Sequence, residues 1–327
     1  MLELTSLALM FAVGAPVPVP RALDSDTTIR VERGARLRVR TFGGDITVTA
    51  WDRNELRVRA DHSRRTRVVI ERSGSVIDVG GRGEMGTPAV IDFELTVPQW
   101  MALELGGMNA DVRIDGVRAP VRVETLQGDI HLNGGDESIS LVTTNGEIDV
   151  RGATGRLDLR AVSGDVHVRD ARGDVSAESV SGDVELVGVD ARTVEAQSVS
   201  GEVTLIGNLV DGGTYSLYSH SGDIRLGIPE RSSALIRLTS ASGEIWLGIE
   251  GQAERSGRRR QTVRLGRGSA SVDLETFSGS VRVDTPDRLQ RRVRDDDRDD
   301  DRDRERRDRR RDRRPPSDHD GHNWEAR

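Results

Sequence analysis

A carboxylate recurs down this chain at a nearly fixed interval, each time after a glycine and before two apolar residues spaced by one. The phrase reads Gly44-Asp45-Ile46-Thr47-Val48, Gly128-Asp129-Ile130-His131-Leu132 and Gly146-Glu147-Ile148-Asp149-Val150, and it returns from Gly164, Gly182, Gly201, Gly222 and Gly243. Ala110-Asp111-Val112-Arg113-Ile114 and Gly279-Ser280-Val281-Arg282-Val283 are decayed copies. Stacked in register as neighbouring β-rungs, Asp111, Asp129, Glu147, Asp165 and Asp183 would stand about 5 Å apart. Adjacent charges would then repel by ~0.8 kcal/mol even in bulk water. Two chemistries offset such a row. One is a hard cation such as Ca²⁺, which takes six to eight oxygen ligands; the other is a set of turn N–H groups, one or more for each carboxylate. The calcium-binding nonapeptide repeat puts paired glycines before its Asp, and this chain lacks them. The turn reading is therefore preferred, and no metal or cofactor is expected.

A serine row accompanies the acids: Ser163, Ser181, Ser200, Ser221, Ser242 and Ser278. A nucleophilic serine needs a base within hydrogen-bond reach. With the acid of each phrase as position zero, His131 and His167 fall at +2 and His220 at −3, so no histidine follows the serine row. Corner hydroxyls bonded to backbone are the expectation. An enzyme on carbohydrate polymers, the alternative, would need paired carboxylates and would use sugar-stacking aromatics. Those are Trp51, Trp100, Trp246, Tyr215 and Tyr218. Trp246, at +2, is expected to point outward beside Tyr218. That pair, with Arg258, Arg259 and Arg260, is the candidate binding edge.

The elements that must hold these residues follow from the period. Successive acidic positions from Asp111 to Glu244 are 18, 18, 18, 18, 19, 21 and 21 residues apart, and Ser280 comes 36 later. Apolar residues recur at +1 and +3 (Val166, Val168) and at −8 and −6 (Leu157, Leu159), the alternation of half-buried strands. Leu126, Val162, Val180, Val199 and Phe277 at −3 match Val117, Ala153, Ala171 and Val189 at +6, so each coil reads as two similar nine-residue halves with −3 facing inward. The expected fold is all-β: a single-chain parallel β-solenoid (β-helix) with ~18-residue coils, an N-terminal β cap and a disordered charged C-terminal tail. Residues 24–100 are read as wider coils or an antiparallel cap, which shields an otherwise open rung, and 101–286 as the regular solenoid. Extra residues collect around Asp190–Thr193, Gly207–Gly213 and Gly227–Ser233, always between the +3 strand and the next −8 strand. The loop Glu254–Gln261 is expected on that same edge, where a repeat protein often meets its partner.

Composition bounds the rest. The 327 residues include 36 glycines, 3% aromatics and no cysteine, which excludes disulfides and thiolate metal sites. Every basic residue is arginine. The apolar run Leu7–Ala15 is too short to span a bilayer and, ahead of Pro16–Ala22, reads as an export signal over 1–22, although Glu3 stands where a basic residue is usual. Residues 287–327 mix acidic and arginine blocks (Asp295–Asp303, then Arg304–Arg314) and bury no core, so they are expected to be disordered. The acidic block competes for the arginines, and nucleic acid is not an expected partner.

Leu95-Thr96-Val97-Pro98, the tandem Ser-Gly-Asp-Val units and the closing Leu265–Val281 segment resemble the bacterial domain family of unknown function labelled putative adhesin, over roughly residues 30–285. The resemblance implies a β-solenoid in envelope-associated proteins and transfers no catalytic residue. The expectation is a non-enzymatic, exported binding or scaffold surface whose partner is an envelope polymer, glycan or protein. A self-assembling structural rod is a further alternative.

Overall fold

The computed structural model describes residues 23–84 and 87–289. The expected signal segment 1–22 lies outside these residues, as does the charged tail beyond Leu289. Seven strands open the chain: β1 (Leu23–Arg30), β2 (Arg36–Gly43), β3 (Ile46–Trp51), β4 (Glu55–His62), β5 (Thr66–Ser73), β6 (Val76–Gly83) and β7 (Ile91–Pro98). Strands then alternate long and short: β8 (Ala102–Asn109), β9 (Val112–Asp115), β10 (Val121–Gln127), β11 (Ile130–Asn133), β12 (Ser138–Asn145), β13 (Ile148–Arg151) and β14 (Arg156–Ser163). The pattern continues through β15 (Val166–Arg169), β16 (Val175–Ser181), β17 (Val184–Val189), β18 (Thr193–Ser198), β19 (Val203–Gly207), β20 (Thr214–Ser219) and β21 (Ile224–Gly227). The last six are β22 (Ala234–Ser240), β23 (Ile245–Leu247), β24 (Gln252–Ser256), β25 (Arg260–Leu265), β26 (Ala270–Thr276) and β27 (Val281–Asp284).

Two long sheets result, one of 14 strands and one of 13, and each coil gives its first strand to the former and its second to the latter. Pairing between coils is parallel and in register: Leu157 lies on Val175 and Ile139, and Val166 on Ile148 and Val184. The −8, −6, +1 and +3 side chains meet between the sheets, where Leu157, Leu159, Val166 and Val168 are fully buried. Parallel strands need a crossover, and here the other half of the coil supplies it. The all-β parallel solenoid read from the period is the observed fold.

The corner before the acid requires glycine on most rungs, Ala110 before Asp111 being the exception. Gly164 has φ +150°, and a Cβ there would strike the carbonyl of Gly146 on the neighbouring rung. Gly182, Gly201, Gly222 and Gly279 face the same obstruction.

Both readings of the N-terminal region hold at once. The coil β2–β3 stacks on β8–β9, and β6–β7 is a wider parallel coil outside it. Antiparallel strands then cover that rung: β4 and β1 beyond β7, and β5 beyond β6. At the far end the order of the chain and the order in space diverge. The coil β26–β27 inserts between β20–β21 and β22–β23. The 36-residue step from Glu244 to Ser280 is thus a move back by one rung. Between these coils the antiparallel hairpin β24–β25 covers β22.

One expectation about the corner is corrected. The −3 residues do not face inward: Leu126, Val162, Val180, Val199 and Phe277 are all exposed. The long strand keeps its alternation one step further, so −4 is the buried position, held by Thr125, Thr143, Ala161, Ser179, Ser198, Ser219, Ser240 and Thr276. The two halves of a coil therefore differ, since Val117, Ala153, Ala171 and Val189 at +6 are buried as expected.

Candidate binding surfaces

The acidic row is built into the backbone. Asp111 Oδ1 accepts the N–H of Asp129 at 2.9 Å, and Asp129 accepts that of Glu147 at 2.8 Å. Asp165, Asp183 and Asp223 repeat the contact to Asp183, Glu202 and Ser280 at 2.7–2.8 Å. Each such aspartate has one oxygen committed to the amide of the next rung, a charge-assisted bond that offsets the repulsion along the row. Glutamate is one methylene too long for that contact. Glu202 instead accepts from the Thr204 hydroxyl at 2.7 Å and from Arg225 at 2.8 Å, and burial pushes its carboxyl above the usual range. Among the described residues no group of three or more His, Asp or Glu is placed to hold a metal ion.

The serine row behaves otherwise than expected. The −2 serines are exposed, and of them Ser242 donates to a backbone carbonyl, that of Phe277 at 3.0 Å. The hydroxyls that fasten the corner are the buried ones at −4. Ser179 donates to Gly164 O at 2.9 Å, Ser198 to Gly182 O at 2.8 Å and Ser219 to Gly201 O at 2.9 Å. Thr143, Thr276 and Ser240 repeat this to Gly128, Gly222 and Gly279. Ala161 is the one gap between Thr143 and Ser179.

The outward +2 row of the 13-stranded sheet carries His131 and His167. His167 stands between Glu185 (Nδ1 to Oε2, 3.2 Å) and Glu147 (Nε2 to Oε1, 3.7 Å). The hydrogen bond to Glu185 raises the imidazole pKa and lowers that of Glu185, against burial acting the other way on both. A second pairing, invisible in the sequence, is Ser25 Oγ with His62 Nε2 at 2.9 Å, joining β1 to β4 across 37 residues. The His62 Nδ1 faces the neutral carbonyl of Ser63 at 3.0 Å, so no carboxylate is there to support an imidazolium in the manner of a catalytic triad.

The structure separates the residues of the candidate edge. Tyr218 lies on β20 in the 14-stranded sheet and Trp246 on β23 in the 13-stranded sheet, so they are not neighbours. The corner intervenes between −5 of one strand and +2 of the next and turns them to different faces. Both are exposed, and the guanidinium of Arg282 lies 5.9 Å from the Trp246 ring centre. The Arg258–Arg260 segment is also displaced from its expected edge. Because β25 runs antiparallel to β22, Arg260 pairs with Thr239, and Ser240 N–H donates to Arg259 O. The turn therefore emerges at the Gly-Asp corner, opposite the insertions. Arg260 does share a row with Tyr218, three strand spacings away through Glu275 and Thr239, roughly 14 Å. Of the other aromatics, Tyr215 is buried, its hydroxyl donating to Ala191 O and accepting from Val210 N–H. Trp51 and Trp100 donate to Glu55 O and to Asn54 Oδ1.

The insertion loops brace one another. Ser269 Oγ bonds Asp211 at 2.5 Å and Ser233 O at 3.0 Å, and Gly212 N–H donates to Ser269 O.

Two in-register sheets closed by glycine corners, fastened by aspartate-to-amide and hydroxyl-to-carbonyl rows, define a capped β-solenoid repeat protein. The chain belongs to the Toastrack DUF4097 family, whose model matches residues 26–207 and 175–284. The resemblance carried by the Ser-Gly-Asp-Val units is thereby borne out. Among solved structures, a putative adhesin from Parabacteroides distasonis is 11% identical over 81% of this chain and 98% of its own, with a TM-score of 0.43. One from Bacteroides fragilis is 12% identical over 81% and 98%, with a TM-score of 0.34. A putative cell adhesion protein from Clostridium sporogenes is 7% identical over 81% and 100%, with a TM-score of 0.23. At these scores the likenesses add no argument about function. No curated protein matches the chain.

Proposed function

We propose that the protein is a non-enzymatic, exported β-solenoid that serves as an adhesin-like binding or scaffold surface for an envelope polymer, glycan or protein. The observation that carries this reading is the outward face of the 14-stranded sheet. Its side chains repeat at the rung spacing of about 4.8 Å, a linear array suited to a chain-like ligand. Tyr218 and Arg260 stand on one row of that face, and Arg258 and Arg259 are exposed beside it. An aromatic face with guanidinium donors three rungs along the same row suits a hydroxylated, anionic polymer long enough to span them.

The test is retention of the full chain on immobilised bacterial envelope polysaccharides and envelope fractions, with a reducing-end assay run in parallel. Retention without new reducing ends is expected, weakened at least tenfold by Tyr218→Ala combined with Arg258→Ser, Arg259→Ser and Arg260→Ser. Turnover of a polysaccharide would overturn the non-enzymatic reading. Retention unaffected by the four substitutions would remove this face from it.

A further inference from the structure

The corrected corner leaves an apolar stripe on the outside of the molecule. The in-register pairing of the long strands places the −3 residues one above another on ten successive rungs, Phe42, Met108, Leu126, Thr144, Val162, Val180, Val199, His220, Phe277 and Ala241, apolar except at Thr144 and His220. The three valines are each 45% exposed and Phe277 56%, its ring stacked on that of His220 at 5.1 Å. Beside them the −2 row is uncharged throughout: Gly43, Asn109, Gln127 and Asn145, then serine on the six later rungs. Nine rung spacings give roughly 43 Å of length, and three residues give roughly 10 Å of width. That is about 400 Å² in plan, shared between the mainly apolar −3 row and the uncharged −2 row.

We infer that this stripe is the interface of a symmetric, antiparallel dimer of the chain. A two-fold axis crossing the stripe between Val162 and Val180 makes it complementary to itself. Val162 then meets Val180 of the partner copy, Leu126 meets His220, and Met108 meets Phe277, a thioether on an aromatic ring. At the ends Phe42 lies over the small Ala241, and nearer the axis Thr144 lies over Val199, so the contact is isologous and each large ring meets a smaller or flexible side chain. The flanking −5 row agrees. The same axis sets Arg160 opposite Glu178 of the partner, while Glu124 faces Tyr218 and Glu275 faces Gly106, so no like charges meet there. Two stripes face to face cover about 800 Å², and the −5 row carries the total to roughly the 1,000 Å² that a specific interface needs. Affinity on the order of micromolar follows from so modest an area.

The acidic corner row lies on the other flank, three residues or about 10 Å from the stripe. Facing its own copy, it repels at low salt and is screened near physiological ionic strength, where the Debye length is about 8 Å. The dimer should therefore tighten as salt rises, opposite to a contact held by ion pairs.

Sedimentation equilibrium of the full chain tests this. A monomer–dimer equilibrium is expected, shifted several-fold toward dimer between about 0.02 and 0.5 M salt. Val162→Glu with Val180→Glu, both on the surface, should weaken association at least a hundredfold while the melting curve stays in place. Because the chain has no cysteine, register can be read directly. Under oxidant, an equal mixture of Val162→Cys and Val180→Cys proteins should crosslink, and either alone should not. A chain monomeric at all concentrations, a dimer untouched by the two glutamates, or crosslinking of Val162→Cys by itself would each overturn the proposal. The flanking −5 row includes Tyr218 of the proposed polymer surface, so polymer retention is also measured on the Val162→Glu, Val180→Glu protein: retention kept while association is lost, or the reverse, separates the two readings.

Discussion

The missing hydroxyl at Ala161 offers a reciprocal experiment on what fastens the corner. Ser179 and Thr143, one rung to either side, donate to the preceding corner carbonyl at 2.9 and 3.2 Å, and Ala161 is as buried as they are. Ser179→Ala removes one oxygen without opening a meaningful cavity, so its cost is the hydrogen bond itself plus a partly buried carbonyl left unserved, about 1–2 kcal/mol. Ala161→Ser does the reverse. The pairing of Ala161 with Ser179 in the parallel ladder puts the new oxygen within reach of Gly146 O, for a gain of about 0.5–1.5 kcal/mol. For a chain of this size each kcal/mol moves the melting midpoint by roughly 2–4 °C. Urea unfolding followed by circular dichroism, together with thermal melts, measures both variants and their combination. Because the sites are adjacent, any departure of the double variant from the sum measures the coupling between rungs. A destabilising Ala161→Ser, or a neutral Ser179→Ala, would refute the hydrogen-bond account and leave side-chain volume as the reason for small residues at −4.

Two further outcomes follow from the same geometry. Gly164→Ala should destabilise by more than about 3 kcal/mol, because its methyl meets backbone rather than a yielding side chain; Gly74→Ala, at φ +60° with open space around it, should cost only about 1 kcal/mol, and equal losses in urea titrations would contradict this. The raised pKa of His167 means its contribution to stability is complete below its unfolded value of about 6.5 and is lost as pH rises through the folded value. His167→Gln should accordingly lower the melting midpoint more at pH 6 than at pH 9, and a pH-independent difference would count against the Glu185 contact as its cause.

Most of the architecture was legible because a parallel stack copies its inward positions from rung to rung. Leu157, Leu159, Val166 and Val168 needed only the alternation of strands and an 18-residue step. The corner is hidden from the sequence because exposed valines at −3 look like core, whereas the buried serines and threonines at −4 look like surface. Hydrogen bonding to the neighbouring rung is what makes −4 habitable for a hydroxyl, and no sequence period reports it. The place of the last coil was also hidden. Residues 234–247 and 270–284 fit one template equally well, so spacing alone could not order them. Tyr218 and Trp246 sit at outward positions in successive coils of the chain, but the corner between −5 and +2 turns the chain to the other sheet.

The insertion of β26–β27 beneath β22–β23 also bears on how the chain is made. Rungs through β21 can add one at a time as residues leave the ribosome, each finding its template already in place. Residues 234–247 meet a template that belongs to a segment not yet synthesised. They must either wait or pair provisionally with β20–β21 and then give way once 270–284 arrive. Assembly of this solenoid can thus follow the chain through β21 but closes out of chain order, since the rung that lies directly on β20–β21 is the last to be made.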